Sequence, residues 1–324
     1  DNAQFFIRGI TTFGSGKVDP LILIDGMEST SNDLARLQPD DISGFSVLKD
    51  AAGSSLYGAR GANGVVLVTT KSGVTGKTKF NVRAENSISS NTQNFKLADN
   101  ITYMKLANEA VLTRNALEDL PYSQNKIDRT IAGDNPFLYP NNDWIDLLIK
   151  DYTINQRFNM NMSGGGKNAQ FYIAGTYNVD NGVLKSDHKN KFDNNINLKS
   201  YQIRSNVNVK LTPTTEGIVR TSGSFDDYQG PIGGGGNIFQ GAIAANPVNF
   251  PAVFPASDMP FAEHPLFGNA RINGQTEAMY FNPYAEMVSG FQQSNSSTLN
   301  VQLEVKQDFK FLTEGLSARV MAYT

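Results

Sequence analysis

The sequence predicts the leading part of a membrane β-barrel, preceded by a small mixed α/β unit. Three observations carry this expectation. Short apolar runs separated by turns fill the chain up to residue 73, long segments of strict period two follow, and the connections between those segments alternate between tight and long.

In the first part the apolar runs are Phe5-Phe6-Ile7, Leu21 to Ile24, Phe45 to Leu48 and Val65 to Val68, divided by Gly, Pro and Asp. One short helix fits between them, with Asp50 as N-cap for Ala51 to Tyr57 and Gly58 as its stop. Gly73 to Gly76 then marks the boundary, giving an expected first domain at 1–73, its N-terminus incomplete, and a barrel part at 74–324.

The barrel expectation rests on alternation. Ile154, Phe158, Met160 and Met162 interleave with Asn155, Arg157, Asn159 and Asn161, and Tyr201 to Leu211 interleave with Gln202, Arg204, Asn206, Asn208 and Lys210. Such runs match the roughly 9 to 11 residues that cross a bilayer at a tilt, whereas soluble strands average about 5 to 6. Further strands are expected at about 80–90, 169–179, 216–225, 297–310 and 316–324, about seven in all. Gly164 to Asn168, Thr212 to Thr215 and Leu312 to Gly315 are tight connections; 91–153, 180–200 and 226–296 are long. Short turns on one side and long loops on the other belong to an outer-membrane barrel, periplasm against exterior. A soluble β-rich binding module shares the alternation but has no reason to sort its loops.

Composition removes several function classes. The 324 residues carry a net charge of -3, with 28 Lys and Arg against 31 Asp and Glu, so no basic footprint for nucleic acid exists. No run approaches the roughly 18 apolar residues of a spanning helix, and a mean hydropathy of -0.33 does not separate a barrel from a soluble protein. With zero cysteines there is neither a disulfide framework nor a thiol nucleophile. The two histidines, His188 and His264, lie in long connections without metal-ligand spacing, and no cofactor is expected. Gly76-Lys77-Thr78 fails as a phosphate loop because Lys71 stands where its first glycine belongs. Catalytic residues are therefore expected to be none. The chain opens without a signal peptide and ends in mid-strand, which reads as a piece of a longer protein.

Helical spacing of Tyr103, Leu106, Ala107 and Ala110, and of Trp144, Ile145, Leu147 and Leu148, places a helix at each end of the first long connection. The third long connection is rich in aromatics, among them Phe239, Phe250, Phe254 and Phe267. Packing of that loop on itself is the favoured reading, a partner interface the next, and stacking on sugar rings the last.

The order Ile7-Arg8-Gly9, Pro20 to Gly26, Val47-Leu48-Lys49-Asp50-Ala51, Leu56-Tyr57-Gly58 and Arg60 to Lys71 closely resembles the plug domain of SusC-like TonB-dependent outer-membrane transporters, the SusC/RagA type. Asp143-Trp144-Ile145-Asp146, Gly164-Gly165-Gly166 and Asp180 to Leu184 resemble the opening barrel segments of the same family. The resemblance implies a plug inside a barrel of about 22 strands, multi-pass in the bacterial outer membrane. It implies TonB-dependent import, without an enzymatic step, of an oligosaccharide or, alternatively, a peptide, with a SusD-like lipoprotein as partner. The TonB complex would be engaged through a segment missing here, and a siderophore or cobalamin receptor shares the same plan.

Two residue sets follow. Related plugs dock with two basic residues, for which Arg8 and Lys49 are the candidates, each beside an apolar run and needing a carboxylate partner once buried. If Leu21 to Ile24 runs outward through the lumen, the turn at Asp25-Gly26 delivers Met27, Glu28, Ser29, Thr30, Ser31 and Asn32 to the outer side as substrate contacts. Their hydroxyls, amide and carboxylate suit sugar hydroxyls or peptide amides.

Overall fold

The computed structural model describes residues 19–49, 55–91, 97–186, 191–272 and 278–324. Arg8, Asp50, most of the helix expected at 51–57, and His188 lie outside them.

Strands β1 (Leu21–Ile24), β2 (Met27–Ser29), β3 (Ile42–Leu48) and β4 (Val65–Thr70), with helix α1 (Ser31–Arg36), build a four-stranded sheet of order β2-β1-β4-β3. β1 runs parallel to β4, Leu21 opposite Val65, and antiparallel to β2, Ile24 opposite Met27. Asp25 (φ 52°) and Gly26 (φ 88°) both occupy the left-handed region, so a two-residue hairpin turn joins β1 to β2. The segment after Asp25-Gly26 is therefore not the loop expected from the sequence. It returns along β1 and enters α1, whose N-cap Thr30 forms a reciprocal capping box with Asp33. One face of the sheet closes over Leu37 through Ile22, Ile24, Val66 and Val68, all buried, each contributing about 1.5–3 kcal/mol by leaving water.

The second sheet has seven antiparallel strands in the order β13-β12-β9-β8-β7-β6-β5. Its members are β5 (Gly76–Ser90), β6 (Tyr152–Gly165), β7 (Ala169–Asn181), β8 (Asn197–Lys210), β9 (Thr215–Pro231), then, past the short pair β10 (Val253–Phe254) and β11 (Leu266–Phe267), β12 (Phe291–Asp308) and β13 (Ser317–Tyr323). All seven expected strands are present. β9 and β12 run farther than expected, to Pro231 and from Phe291, because each pairs with the other along its whole length. This narrows the third long connection to 232–290. No helix among the described residues is long and apolar enough to span a membrane.

One face of this sheet is apolar. Cross-strand register aligns Phe158, Tyr177, Tyr201 and Phe225 in a row over β6 to β9, with the Tyr177 and Tyr201 rings 4.9 Å apart. The opposite face carries Asn159, Asn161, Asn178, Gln202, Asn206 and Gln302, largely buried among themselves and under the small sheet.

The first and third long connections fold together as an outer lobe. It holds α2 (Asn100–Leu112), α3 (Gln124–Ala132), α4 (Trp144–Leu148), α5 (Gly234–Ala244) and α6 (Pro283–Val288). Trp144, Leu148, Ile238, Phe250 and Met287 form one core and Met104, Tyr122, Ile127 and Val248 another. Asn246 pins the two connections: its Nδ2 donates to the Tyr122 hydroxyl at 2.9 Å, its Oδ1 accepts from Val248 N and Asn249 N, and its carbonyl accepts from Trp144 Nε1. The loop aromatics Phe239, Phe250 and Tyr280 pack into or against this core, as the favoured reading expects, while Phe261 stays 96% exposed.

Candidate functional site

The small sheet meets the polar face of the large one along a seam. Alternation in β7, β8 and β9 turns Tyr172, Arg204, Asn206 and Arg220 to that face, and the register brings Tyr172 beside Asn206 and Asn206 beside Arg220. Asn206, fully buried, donates to Thr70 Oγ1 at 2.8 Å and to the Lys71 carbonyl at 2.6 Å. Gln202 accepts from Gln38 at 3.2 Å, Arg83 donates to Asp40 at 3.1 Å, and Arg36 reaches Asp226 at 2.8 Å.

Two carboxylates of the small unit enter this network. Asp41 accepts from the Tyr172 hydroxyl at 2.7 Å and stands 3.6 Å from Arg204 Nε. Burial raises its carboxyl above the ordinary range, against the pull of the Tyr172 hydrogen bond and the Arg204 charge. Asp25 accepts from Thr70 N at 2.9 Å and Thr70 Oγ1 at 2.6 Å, and its second oxygen lies 3.8 Å from Arg220 Nε. Arg220 is meanwhile bound at 2.7 Å by Glu304, which is 2% exposed and also meets Arg319 and Lys306. A polar cavity of about 80 Å³ opens between the two bodies, lined by Asp25, Asp41, Arg204, Arg220, Ser222 and Ser224 among others.

The expected contact residues are not brought together. Met27 and Ser29 line the cavity, whereas Glu28 pairs with Arg60 at 3.0 Å, Thr30 is spent on its cap, and Ser31 and Asn32 open α1. Lys49 is exposed beyond the end of β3. The direction expected for β1 is reversed. The Asp25 carbonyl accepts from Gln302, a Cβ on Gly26 would meet Arg319 at 2.9 Å, and Arg319 follows the tight turn into β13; the Asp25 turn thus faces the end of the short turns. The reason is topological. β4 must exit where β5 begins, at Gly76 beside Gly165, and β1, parallel to β4, ends on the same side. Gly73 makes that exit possible, since a Cβ there would lie 2.1 Å from Phe171 N.

Sequence reasoning named Asp25, Arg204 and Asn206 only as turn and strand residues, and assigned none of Asp25, Asp41, Tyr172, Arg204, Asn206 and Arg220 to a site. Charged and amide residues on the inward register of long strands are the signal that could have found the wall half. Asp25-Gly26 is a turn in the sequence reading, and its Asp-Gly pair is the hairpin signal that could have shown the chain doubling back along β1.

A larger open cleft, about 820 Å³, lies in the outer lobe, with Tyr103, Asn141, Asp143, Trp144, Asp146 and Phe239 in its lining. No cluster of potential metal ligands occurs among the described residues.

The family profile described as TonB-dependent Receptor Plug Domain matches residues 1–65. TonB-dependent receptor P26 of Formosa agariphila is 31% identical over 237 residues, covering 72% of this chain and 21% of that protein. TonB-dependent receptor SusC of Bacteroides thetaiotaomicron is 27% identical over 221 residues, covering 64% and 20%. The chain thus spans about a fifth of the length of the curated relatives it matches. The structure of the RagAB peptide transporter superposes with a TM-score of 0.69 at 22% identity, over 99% of this chain and 36% of that one. The plug-like sheet seated on a seven-stranded antiparallel sheet, together with these matches, assigns the chain to the SusC-like family of TonB-dependent outer-membrane receptors, of which it carries the plug and part of the barrel.

Proposed function

We propose that the protein imports a nutrient, an oligosaccharide in the first place, across the outer membrane in a TonB-dependent cycle, with a SusD-like surface lipoprotein as partner. The observation that carries this reading is the seam itself. A plug held against the wall by Asn206, Tyr172, Gln202 and Arg83 obstructs the lumen, so passage needs an energy input that moves it. Support for a neutral, hydroxyl-rich cargo comes from the amide face of Asn159, Asn161, Asn178 and Gln202, since amides both donate and accept.

In this reading the long connections lie outside the cell, and the outer-lobe cleft meets the cargo before the plug does. Met27, Glu28, Ser29, Thr30, Ser31 and Asn32 become contacts only once the plug has moved. Deleting TonB in the native host should abolish uptake of a labelled oligosaccharide pool and leave surface binding intact. Undiminished uptake overturns the proposal, and TonB-dependent uptake of a labelled peptide pool in place of the glycans would transfer the reading to peptide import.

A further inference from the structure

At the centre of the seam, Arg220 and Asp25 each have a partner in their own body, whereas the Asp41 carboxylate, among the described residues, meets only Tyr172 and Arg204 of the wall. Arg220 is held at 2.7 Å by Glu304 of the wall and stands 3.8 Å from Asp25, while Asp25 is held by Thr70 of the plug. The Arg204–Asp41 separation is also long, 3.6 Å. Neither Arg204 Nε nor Arg220 Nε has a hydrogen-bond partner in the protein, nor has Ser224 Oγ, and all three residues line the same polar cavity. A polar contact beyond about 3.5 Å between buried groups beside a polar cavity is the geometry of a bridging water. The apolar side chains Ile22, Ile24, Leu37, Val66 and Val68 pack inside the plug, on one another.

We propose that Asp25 and Asp41 are the plug's docking residues, held by Arg220 and Arg204 through bridging water, and that the plug parts from the wall along this seam with its own core intact. This rests on the import reading above, in which the plug has to move. Separation orphans no buried charge at Arg220 or Asp25, because each keeps its bonds within its own body. Water bridging Asp25 and Arg220 already hydrates that pair, so its separation forms little new charge–water contact. Asp41 is the tighter of the two latches, since its carboxylate alone gives up a direct bond across the seam, that from Tyr172 at 2.7 Å; the bond Asp25 loses, from Gln302, is to its backbone carbonyl at 3.2 Å. Parting inside the plug would instead expose its apolar core to water.

The test uses the full-length receptor in a planar bilayer, where urea-induced conductance reports an opened lumen without TonB or any nutrient. Its failure is thereby separable from failure of the import reading. Gln38→Cys with Gln202→Cys, joined by a short bis-methanethiosulfonate linker, ties plug to wall. Ile22→Cys with Val66→Cys, oxidised to a disulfide, ties β1 to β4 inside the plug, where the two positions are paired. The tie across the seam should abolish conductance and dithiothreitol restore it, while the tie inside the plug should leave conductance at the same urea concentration. Conductance through the tied seam, or its loss with the tied core, overturns separation along the seam. Asp25→Asn and Asp41→Ala should each open at lower urea than the parent, with heat-modifiable electrophoretic mobility confirming a folded barrel. An unshifted threshold in both variants overturns the docking assignment.

Discussion

The Tyr172 hydroxyl donates to the Asp41 carboxylate at 2.7 Å, joining a wall strand to the plug across 131 positions of sequence. Tyr172 is 2% exposed and Asp41 5% exposed, so bulk water does not compete for this bond at rest. Tyr172→Phe leaves a buried acceptor one donor short, at an expected cost of about 1–3 kcal/mol. Chemical denaturation of the full-length receptor, followed by a plug-specific fluorophore, measures it; a loss well under 1 kcal/mol removes the bond from the account of plug seating.

A pH dependence follows from the same carboxyl. Burial raises the Asp41 pKa in the folded state, so folding takes up protons there. Its contribution is complete below the ordinary carboxylate range and is lost as pH rises through the raised folded value. The plug should therefore sit more firmly in mildly acidic than in neutral solution. Asp41→Asn, which stays neutral and still accepts from Tyr172, should flatten that slope when denaturation midpoints are compared across pH.

The two faces of β8 should respond unequally to charge. Val207 lies between Phe171 and Val219 on the apolar face, and Asn208 is its neighbour on the polar face, where it donates to Glu216. Val207→Lys should cost about 2–4 kcal/mol if it sits near the bilayer midplane, and Asn208→Lys little. Equal costs in lipid-reconstituted folding titrations would contradict an outward-facing Val207.

Accessibility from the cell exterior checks the orientation. Phe261→Cys, on a 96% exposed outer-lobe residue, should react with a membrane-impermeant maleimide on intact cells. Lys167→Cys, in the tight turn between β6 and β7, should not react until the outer membrane is opened. The reverse pattern would invert the barrel.

The outer lobe should fail as a unit. Asn246 joins the first and third long connections through Tyr122 and Trp144, and its Oδ1 caps Val248 N and Asn249 N. Asn246→Ala should cost about 1–3 kcal/mol of lobe stability and expose both connections to limited proteolysis together. Cleavage confined to one of them would show that they fold independently.

Much of the fold was written in local pattern. Period-two alternation from Tyr152 to Gly165 and from Asn197 to Lys210 determines strands and their two faces, because side chains on a pleated strand point alternately. Connection length separates the short-turn end from the long-loop end. Capping chemistry places α2 after Asp99 and α4 after Asp143. The seam was not legible in the same way. Nothing near Asp25 or Asp41 in sequence says that Arg220 or Arg204 will face it, since those pairs are set by strand register and by the seating of one sheet on another. Even the direction of β1 was decided far away, by the need for β4 to leave beside Gly165. Local periodicity determined what each segment of this protein is; long-range pairing, which has no signature in neighbouring residues, decided which end of the lumen each segment faces and which charges it meets there.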